Sequence, residues 1–259
     1  MKFFTYTKNQ FHKLKFLIQT KAPVWVIFYA FALNLSHRFL NKFTLRGKGY
    51  VEKMNNFKLS KQKLKLDNDW FTDSIPTWLR AIECTDLKTK NKINCLEIGS
   101  WQGLSAFFIL NELKNSDLVC VDTWEGADEH KDESMTTFRV LKDVEDTFDH
   151  NLKKFISRIT KYKGTSSSYY EKNLSQNKFN LIYVDGSHHA DDVIIDALRC
   201  FEMLCEGGLL IFDDYLWKYY DKDIDNPAGA INKFLKIKKH QVKILCFDYQ
   251  LAIKKVSIK

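Results

Sequence analysis

Proline and glycine are scarce, three and ten among 259 residues, which excludes a collagen-like or low-complexity chain. A hydrophobic content of 45%, with 14% aromatic, excludes a wholly disordered one. One large core is affordable, and one α/β domain with an N-terminal extension fits better than two full domains. The six cysteines, Cys84, Cys95, Cys120, Cys200, Cys205 and Cys246, form no C-x-x-C pair and no zinc-like Cys/His pattern. They read as buried thiols in a reducing, cytoplasmic compartment.

Acid is nearly missing from residues 1–66, which hold 14 Lys and Arg against the single Glu52, a net of +13. Residues 67–259 hold 26 Lys and Arg against 31 Asp and Glu, a net of −5, so the formal +8 belongs to the extension. The basic pI therefore does not make the whole protein a nucleic-acid binder.

A long apolar run is also absent. The stretch Ala22 to Leu35 has fourteen residues, short of the roughly 20 that span a bilayer, and no small-residue cleavage site follows it. Pro23 suits the first turn of a helix with Trp25, Phe28, Tyr29 and Ala32 on one face and Phe31 beside them. Lys2, Lys8, Lys13, Lys15 and Lys21 precede it, and His37, Arg38, Lys42, Arg46 and Lys48 follow. Basic flanks around an aromatic segment suit a helix lying in anionic headgroups, a peripheral place at the inner membrane surface for residues 1–45. The other reading is a helix packed on the catalytic domain or on another subunit of a homo-oligomer. Arg46 to Leu66 reads as a polar, Lys-rich linker.

From residue 67 strands and helices alternate. Ser74 reads as the N-cap of a helix running to about Cys84. Strands are expected at Ile93 to Ile98, Leu118 to Val121, Arg158 to Lys163, Phe179 to Val184 and Leu209 to Phe212. Helices are expected from Leu104 to Leu113, from about Asp132 to Phe155, from about Asp191 to Leu204 and from Pro227 to about Lys236. Val242 to Phe247 and Leu251 to Val256 form a closing strand pair. This alternation implies a mostly parallel sheet covered on both faces, with ligands at the carboxyl ends of the strands.

Glu97-Ile98-Gly99-Ser100-Trp101-Gln102-Gly103 is a strand-to-helix turn with glycines four apart. Dinucleotide folds prefer G-x-G-x-x-G there, to cradle a pyrophosphate. Here the middle glycine is missing and an acid precedes the turn, which suits a cationic amine better. Asp122, at the end of the next strand, is placed to accept from two ribose hydroxyls, or is a solvated strand-end carboxylate. Glu97 and Asp122 together fit S-adenosylmethionine.

Asp185-Gly186-Ser187-His188-His189 and Asp213-Asp214 put three carboxylates at the ends of two adjacent strands. That concentration of charge is unfavourable unless a divalent cation lies between them, and oxygen ligands suit Mg²⁺ or Mn²⁺. His188 is the candidate base, with His189 as the competing assignment; either one, taken alone, also fits loop packing or helix capping.

Cys95–Ser105 (CLEIGSWQGLS), Val119–Gly126 (VCVDTWEG), Tyr183–His189 (YVDGSHH) through Val193, and Cys205–Trp217 (CEGGLLIFDDYLW) together resemble the class I S-adenosylmethionine-dependent methyltransferases. They are similar in particular to the Methyltransf_24 branch and its metal-dependent sugar O-methyltransferase relatives. The resemblance covers about residues 68–259, including Phe148-Asp149-His150-Asn151-Leu152. It implies a Rossmann-like, seven-stranded, mostly parallel sheet with an antiparallel last strand. It also implies that Glu97, Gly99, Ser100 and Gly103 line the methionine end of the cofactor, that Asp122 holds the ribose, and that Trp124, Thr165 and Ser166 lie near the adenine. Asp185, Asp213 and Asp214 match metal positions, Asp185 also adjoining cofactor and chemistry, and His188 matches the base. Glu206 stands where proline is usual before the Gly-Gly pair, a departure expected to affect only the turn. The stretches Trp124 to Met135 and Tyr215 to Asn226, which would shape the acceptor pocket, match no substrate pattern.

The implied activity is Mg²⁺-dependent O-methylation of a hydroxyl on a small molecule or glycan sugar. An oxidoreductase on the same scaffold is a second reading, against which the Glu97 turn argues. A third is a membrane- or RNA-docking module with an idle catalytic domain, which the retained Asp185, His188, Asp213 and Asp214 disfavour.

Overall fold

The computed structural model describes residues 12–127, 130–131, 136–173 and 178–257. Its seven strands are β1 (Ile93–Ile98), β2 (Ser116–Asp122), β3 (Ile159–Lys163), β4 (Phe179–Val184), β5 (Leu204–Phe212), β6 (Val242–Phe247) and β7 (Leu251–Lys255). They form one sheet in the order β3-β2-β1-β4-β5-β7-β6. β7 lies antiparallel to both β5 and β6, while β1 to β5 are mutually parallel.

Burial on both faces explains why β1 and β4 read as nearly unbroken apolar runs. The chain steps outward from β1 to β2 and β3, then returns to place β4 on the other flank of β1. That reversal opens a crevice at the carboxyl ends of β1 and β4. α4 (Leu104–Glu112, LSAFFILNE) follows β1, and residues 104 to 110 are all buried or nearly so. A helix apolar all round belongs inside a fold. α5 (Val144–Leu152) packs beside it, while α6 (Ser166–Asn173) lies with the other core cluster and packs on α7 (Ala190–Met203), which packs in turn with α8 (Pro227–Ile237) near β4 and β5.

The expected linker from Arg46 to Leu66 is instead largely helical: α2 spans Leu45–Ser60 and follows α1, Val24–Phe43. Thr44 caps α2 by accepting from Gly47 N at 3.0 Å. Only Gly47, Tyr50 and Phe57 are buried, a stripe too narrow to stand out in a Lys-rich composition. Phe57 nonetheless meets Phe71, Phe107 and Phe108 with ring centroids 6.4, 5.9 and 5.6 Å away. A buried phenyl contributes roughly 1.5–3 kcal/mol. Phe57 thus packs α2 onto the main core.

Other boundaries shift for local reasons. Ser74 makes no side-chain cap, because a 3-10 turn at Thr72–Ser74 already feeds α3 (Ile75–Glu83) in helical conformation. β5 begins at Leu204 and runs through Gly207 and Gly208, with a register shift against β4 rather than a break. The expected helix from Asp132 is 3-10 at Thr136–Asp143 before α5, and residues 132–135 lie outside the described ones. Cys84 is exposed, unlike Cys95, Cys120, Cys200 and Cys246. No helix among the described residues is long and apolar enough to cross a membrane.

Candidate active site

A cavity of about 930 Å³ opens at the carboxyl ends of the strands, lined by residues from Gly99 to Gln102 and from Asp185 to His189 together with Asp122, Thr165, Ser166, Asp213 and Asp214. Its floor is the turn after β1. Gly99 has φ +83°, and a Cβ there would lie 1.8 Å from the carbonyl oxygen of Asp185. Only glycine admits this approach, which is locked by Gly99 N donating to Val121 O (2.9 Å) and Asp185 N to Ile98 O (2.7 Å).

Asp122 organises the next corner. Its Oδ2 accepts from Ser100 N and Trp101 N at 2.7 and 2.8 Å, and its Oδ1 from Trp124 N at 2.7 Å. These bonds hold Trp101 and Trp124 at φ +44° and +55°. A carboxylate offers about four acceptor positions, so one remains for a ligand.

Three residues expected at the cofactor lie behind the cavity wall instead. Glu97 is fully buried; its Oε2 accepts from Ser100 Oγ at 2.6 Å, and its Oε1 has no hydrogen-bond partner. Burial first, partly offset by the hydroxyls of Ser100 and Ser105, pushes its carboxyl up to about 7. Gly103 packs where a Cβ would meet Leu152 and Phe148 at 2.9 and 3.1 Å. Trp124 is buried against Phe148 at 5.1 Å and donates from Nε1 to Trp101 O. Strand alternation accounts for Glu97, which shares the face of Cys95 rather than that of Ile98.

One end of the cavity is polar. Ser166 opens α6 and hydrogen-bonds Asp196, whose carboxyl also accepts from Tyr170 OH at 3.0 Å. Asp196 is 1% exposed, and burial raises it to about 6. Another part of the wall is aromatic: His130 stacks on Trp70 at 5.6 Å and lies 4.5 Å from Trp101. Neither Trp70, His130 nor Asp196 stands out in the sequence, because they converge from distant segments.

The acidic cluster is real, but its membership is specific. Ligand atoms of Asp185, His188 and Asp214 lie within 4.8 Å of one another. His188 Nε2 is 2.8 Å from Asp214 Oδ2, and the imidazole leans on Trp217 with centroids 4.5 Å apart. Asp213 is turned aside: Tyr183 OH reaches its Oδ2 and donates also toward Asp185 Oδ2 at 2.9 Å, while its Oδ1 accepts from Asp214 N at 2.8 Å. Burial, then the neighbouring Asp213 and Asp214 charges, holds Asp185 well above the usual carboxylate range. Burial and Asp214 push Asp213 to about 6. Two carboxylate oxygens and one imidazole nitrogen so gathered form a donor set for a divalent cation. His189 is separate, stacked on Tyr220 at 4.7 Å with Nε2 3.1 Å from its hydroxyl.

Residues 96–215 match the Methyltransf_24 family, described as a methyltransferase domain. A Corynebacterium glutamicum protein of solved structure is 15% identical, with a TM-score of 0.52 over 87% of this chain and 98% of that one. The MycE methyltransferase of the mycinamycin pathway, solved with Mg and SAH, is 14% identical with a TM-score of 0.54, over 80% of this chain and 55% of its own. The O-methyltransferase NovP is 12% identical with a TM-score of 0.52, over 73% of this chain and 84% of its own. No curated protein matches the sequence.

Residues 96–215, a little under half of the chain, thus carry the match to a methyltransferase domain, on a Rossmann-like seven-stranded sheet.

Proposed function

We propose that the protein is a divalent-cation-dependent O-methyltransferase acting on a hydroxyl of a small molecule or glycan sugar. The observation that carries this reading is the gathering of Asp185, His188 and Asp214 in the same cavity as the Gly99 to Asp122 floor. The Mg and SAH of the MycE complex give it further support.

Gly99, Ser100 and the remaining acceptor position of Asp122 would receive the methionine and ribose parts of the cofactor, with Thr165 and Ser166 at the base. Glu97 acts from behind the wall by fixing the Ser100 hydroxyl. Asp185 and Asp214 would hold Mg²⁺ or Mn²⁺, with Asp213 steadying Asp185 through Tyr183. A bound cation supplies Lewis acidity that lowers the pKa of an acceptor hydroxyl, and the cofactor supplies the electrophilic methyl group.

His188 takes the hydroxyl proton. Asp214 Oδ2, 2.8 Å from Nε2, would orient the imidazole for this step. Trp217 and Tyr220 beside it offer flat apolar faces of the kind that pack against a sugar ring or an aromatic acceptor. The protein's own contribution is positioning and preorganised charge.

Calorimetric titration with S-adenosylhomocysteine and with NAD tests the reading. S-adenosylhomocysteine should bind and NAD should not; binding of NAD alone would replace methyl transfer by redox chemistry. Methyl transfer should stop with EDTA and return with Mg²⁺.

A further inference from the structure

α1 is apolar on two opposite faces. Val26 and Ala30 are buried in the cluster that contains Val242, Ile244 and Ile253 of β6 and β7. The outer face carries Val24, Phe28 and Phe31 at i, i+4 and i+7, exposed by 82, 72 and 36%. Ile18 and Tyr29 extend the stripe. Single exposed apolar residues need no explanation, but a continuous stripe of this kind calls for a cover.

We propose that this stripe docks on an anionic lipid surface, with α1 lying in the plane of the interface. Charge selects the occupant. No Asp or Glu occurs between residues 12 and 51, and Lys15 and Lys21 are exposed beside Ile18 and Val24. A second copy meeting this face about a twofold axis would bring the same cations together, whereas anionic headgroups pair with them. Trp25 and Tyr29, edge to face at 6.3 Å, are the amphipathic rings that settle at headgroup depth. The helix therefore lies on a bilayer, consistent with the absence of a spanning helix among the described residues.

Docking would also orient the catalytic face. Asn232 Nδ2 donates to Thr20 O and Oγ1, both at 3.1 Å, and its Oδ1 accepts from Tyr215 OH at 2.6 Å. Tyr215 directly follows Asp214, so the segment leading into α1 is locked to the loop that carries the acidic cluster. This inference is independent of the proposed reaction.

Sedimentation of the full-length protein with phosphatidylcholine vesicles, and with vesicles that also contain phosphatidylglycerol, provides the test. Partitioning at low salt should favour the anionic vesicles by about tenfold or more. Phe28→Glu combined with Phe31→Glu should lower it by about tenfold, and Phe28→Glu alone, at a side chain 72% exposed, should lower it with the melting temperature unchanged. Lys15→Glu with Lys21→Glu should remove only the preference for anionic lipid. Failure of the native protein to bind anionic vesicles, or equal binding by native and variant proteins, overturns the proposal. So does a concentration-dependent dimer dissolved by the Phe28/Phe31 pair, since a second copy would then cover the stripe.

Discussion

His188 Nε2 and Asp214 Oδ2 stand 2.8 Å apart, joining the loop after β4 to the end of β5. This contact brings an imidazole and a carboxylate to one point of the cavity, with Asp185 completing the set.

Asp214→Asn should therefore weaken Mn²⁺ binding by more than the 10–100-fold that follows loss of an outer partner of a metal site. S-adenosylhomocysteine affinity should stay within a few fold, since Gly99, Ser100 and Asp122 are fixed by one another and by Val121 and not by Asp214. Mn²⁺ titration followed by electron paramagnetic resonance, beside calorimetry of the nucleoside, separates the two effects. Equal loss of both would mean that Asp214 holds the structure of the loop and not a cation.

Asp185 and Asp213 keep their protons to higher pH than ordinary carboxylates, Asp213 to about 6. Cation binding must displace the proton of Asp185, and the charge of a cation so close also disfavours that of Asp213. Mn²⁺ affinity should rise as pH climbs through about 6, with proton release that calorimetry in buffers of different ionisation enthalpy can count. A pH-independent affinity would contradict the raised carboxyls.

Glu97→Gln gives a stability prediction with a defined sign. The carboxyl titrates near 4.5 when unfolded and about 7 when folded, so between these values the unfolded state loses its proton first. Native stability then falls as pH rises across that window and levels off above about 7. The glutamine variant, which resembles the protonated acid, should gain on the native chain by up to about 3 kcal/mol over the same range. Urea unfolding at acid and mildly alkaline pH would show it; a constant difference would mean that Glu97 does not carry the raised value.

Ser166 donates to Asp196, which leaves its oxygen lone pairs to face the cavity. If the nucleoside base sits there, an exocyclic amine is favoured over a carbonyl. Ser166→Ala should cost S-adenosylhomocysteine about tenfold in affinity and leave S-inosylhomocysteine nearly unaffected. Equal effects on both ligands would remove Ser166 from base recognition.

Gly99→Ala should abolish nucleoside binding, because its Cβ would fall 1.8 Å from a backbone oxygen at a φ of +83°. The backbone must move to accept it, so the turn and the cavity floor are lost together. Retained affinity measured by calorimetry would show that the floor is adjustable.

The strands were legible because parallel, doubly buried strands write themselves as apolar runs: Ile93–Ile98 and Phe179–Val184 end where the sequence places them. α2 was not, since its three buried residues sit among lysines and its cover, Phe71 and Phe108, lies elsewhere in the chain. The chemistry was legible as clusters but not as orientation. Position at a strand end brought Asp122, Asp185 and Asp214 to the cavity, yet it could not say that Glu97 points to the opposite face or that Trp124 turns inward at φ +55°. Nor could it predict that Tyr183 would draw Asp213 away from the donor set, or that Trp70, Trp101 and His130 would form one wall.

The buried bridge from Thr20 through Asn232 to Tyr215 limits how the chain can be divided. The charge change near residue 66 invites excision of a minimal enzyme, but such a cut would strip the acceptors from Asn232 and open the pocket filled by Phe57 and Tyr50. A shortened chain would carry its catalytic residues intact and still misfold or aggregate. The compositional seam is therefore no place for proteolytic trimming or domain grafting.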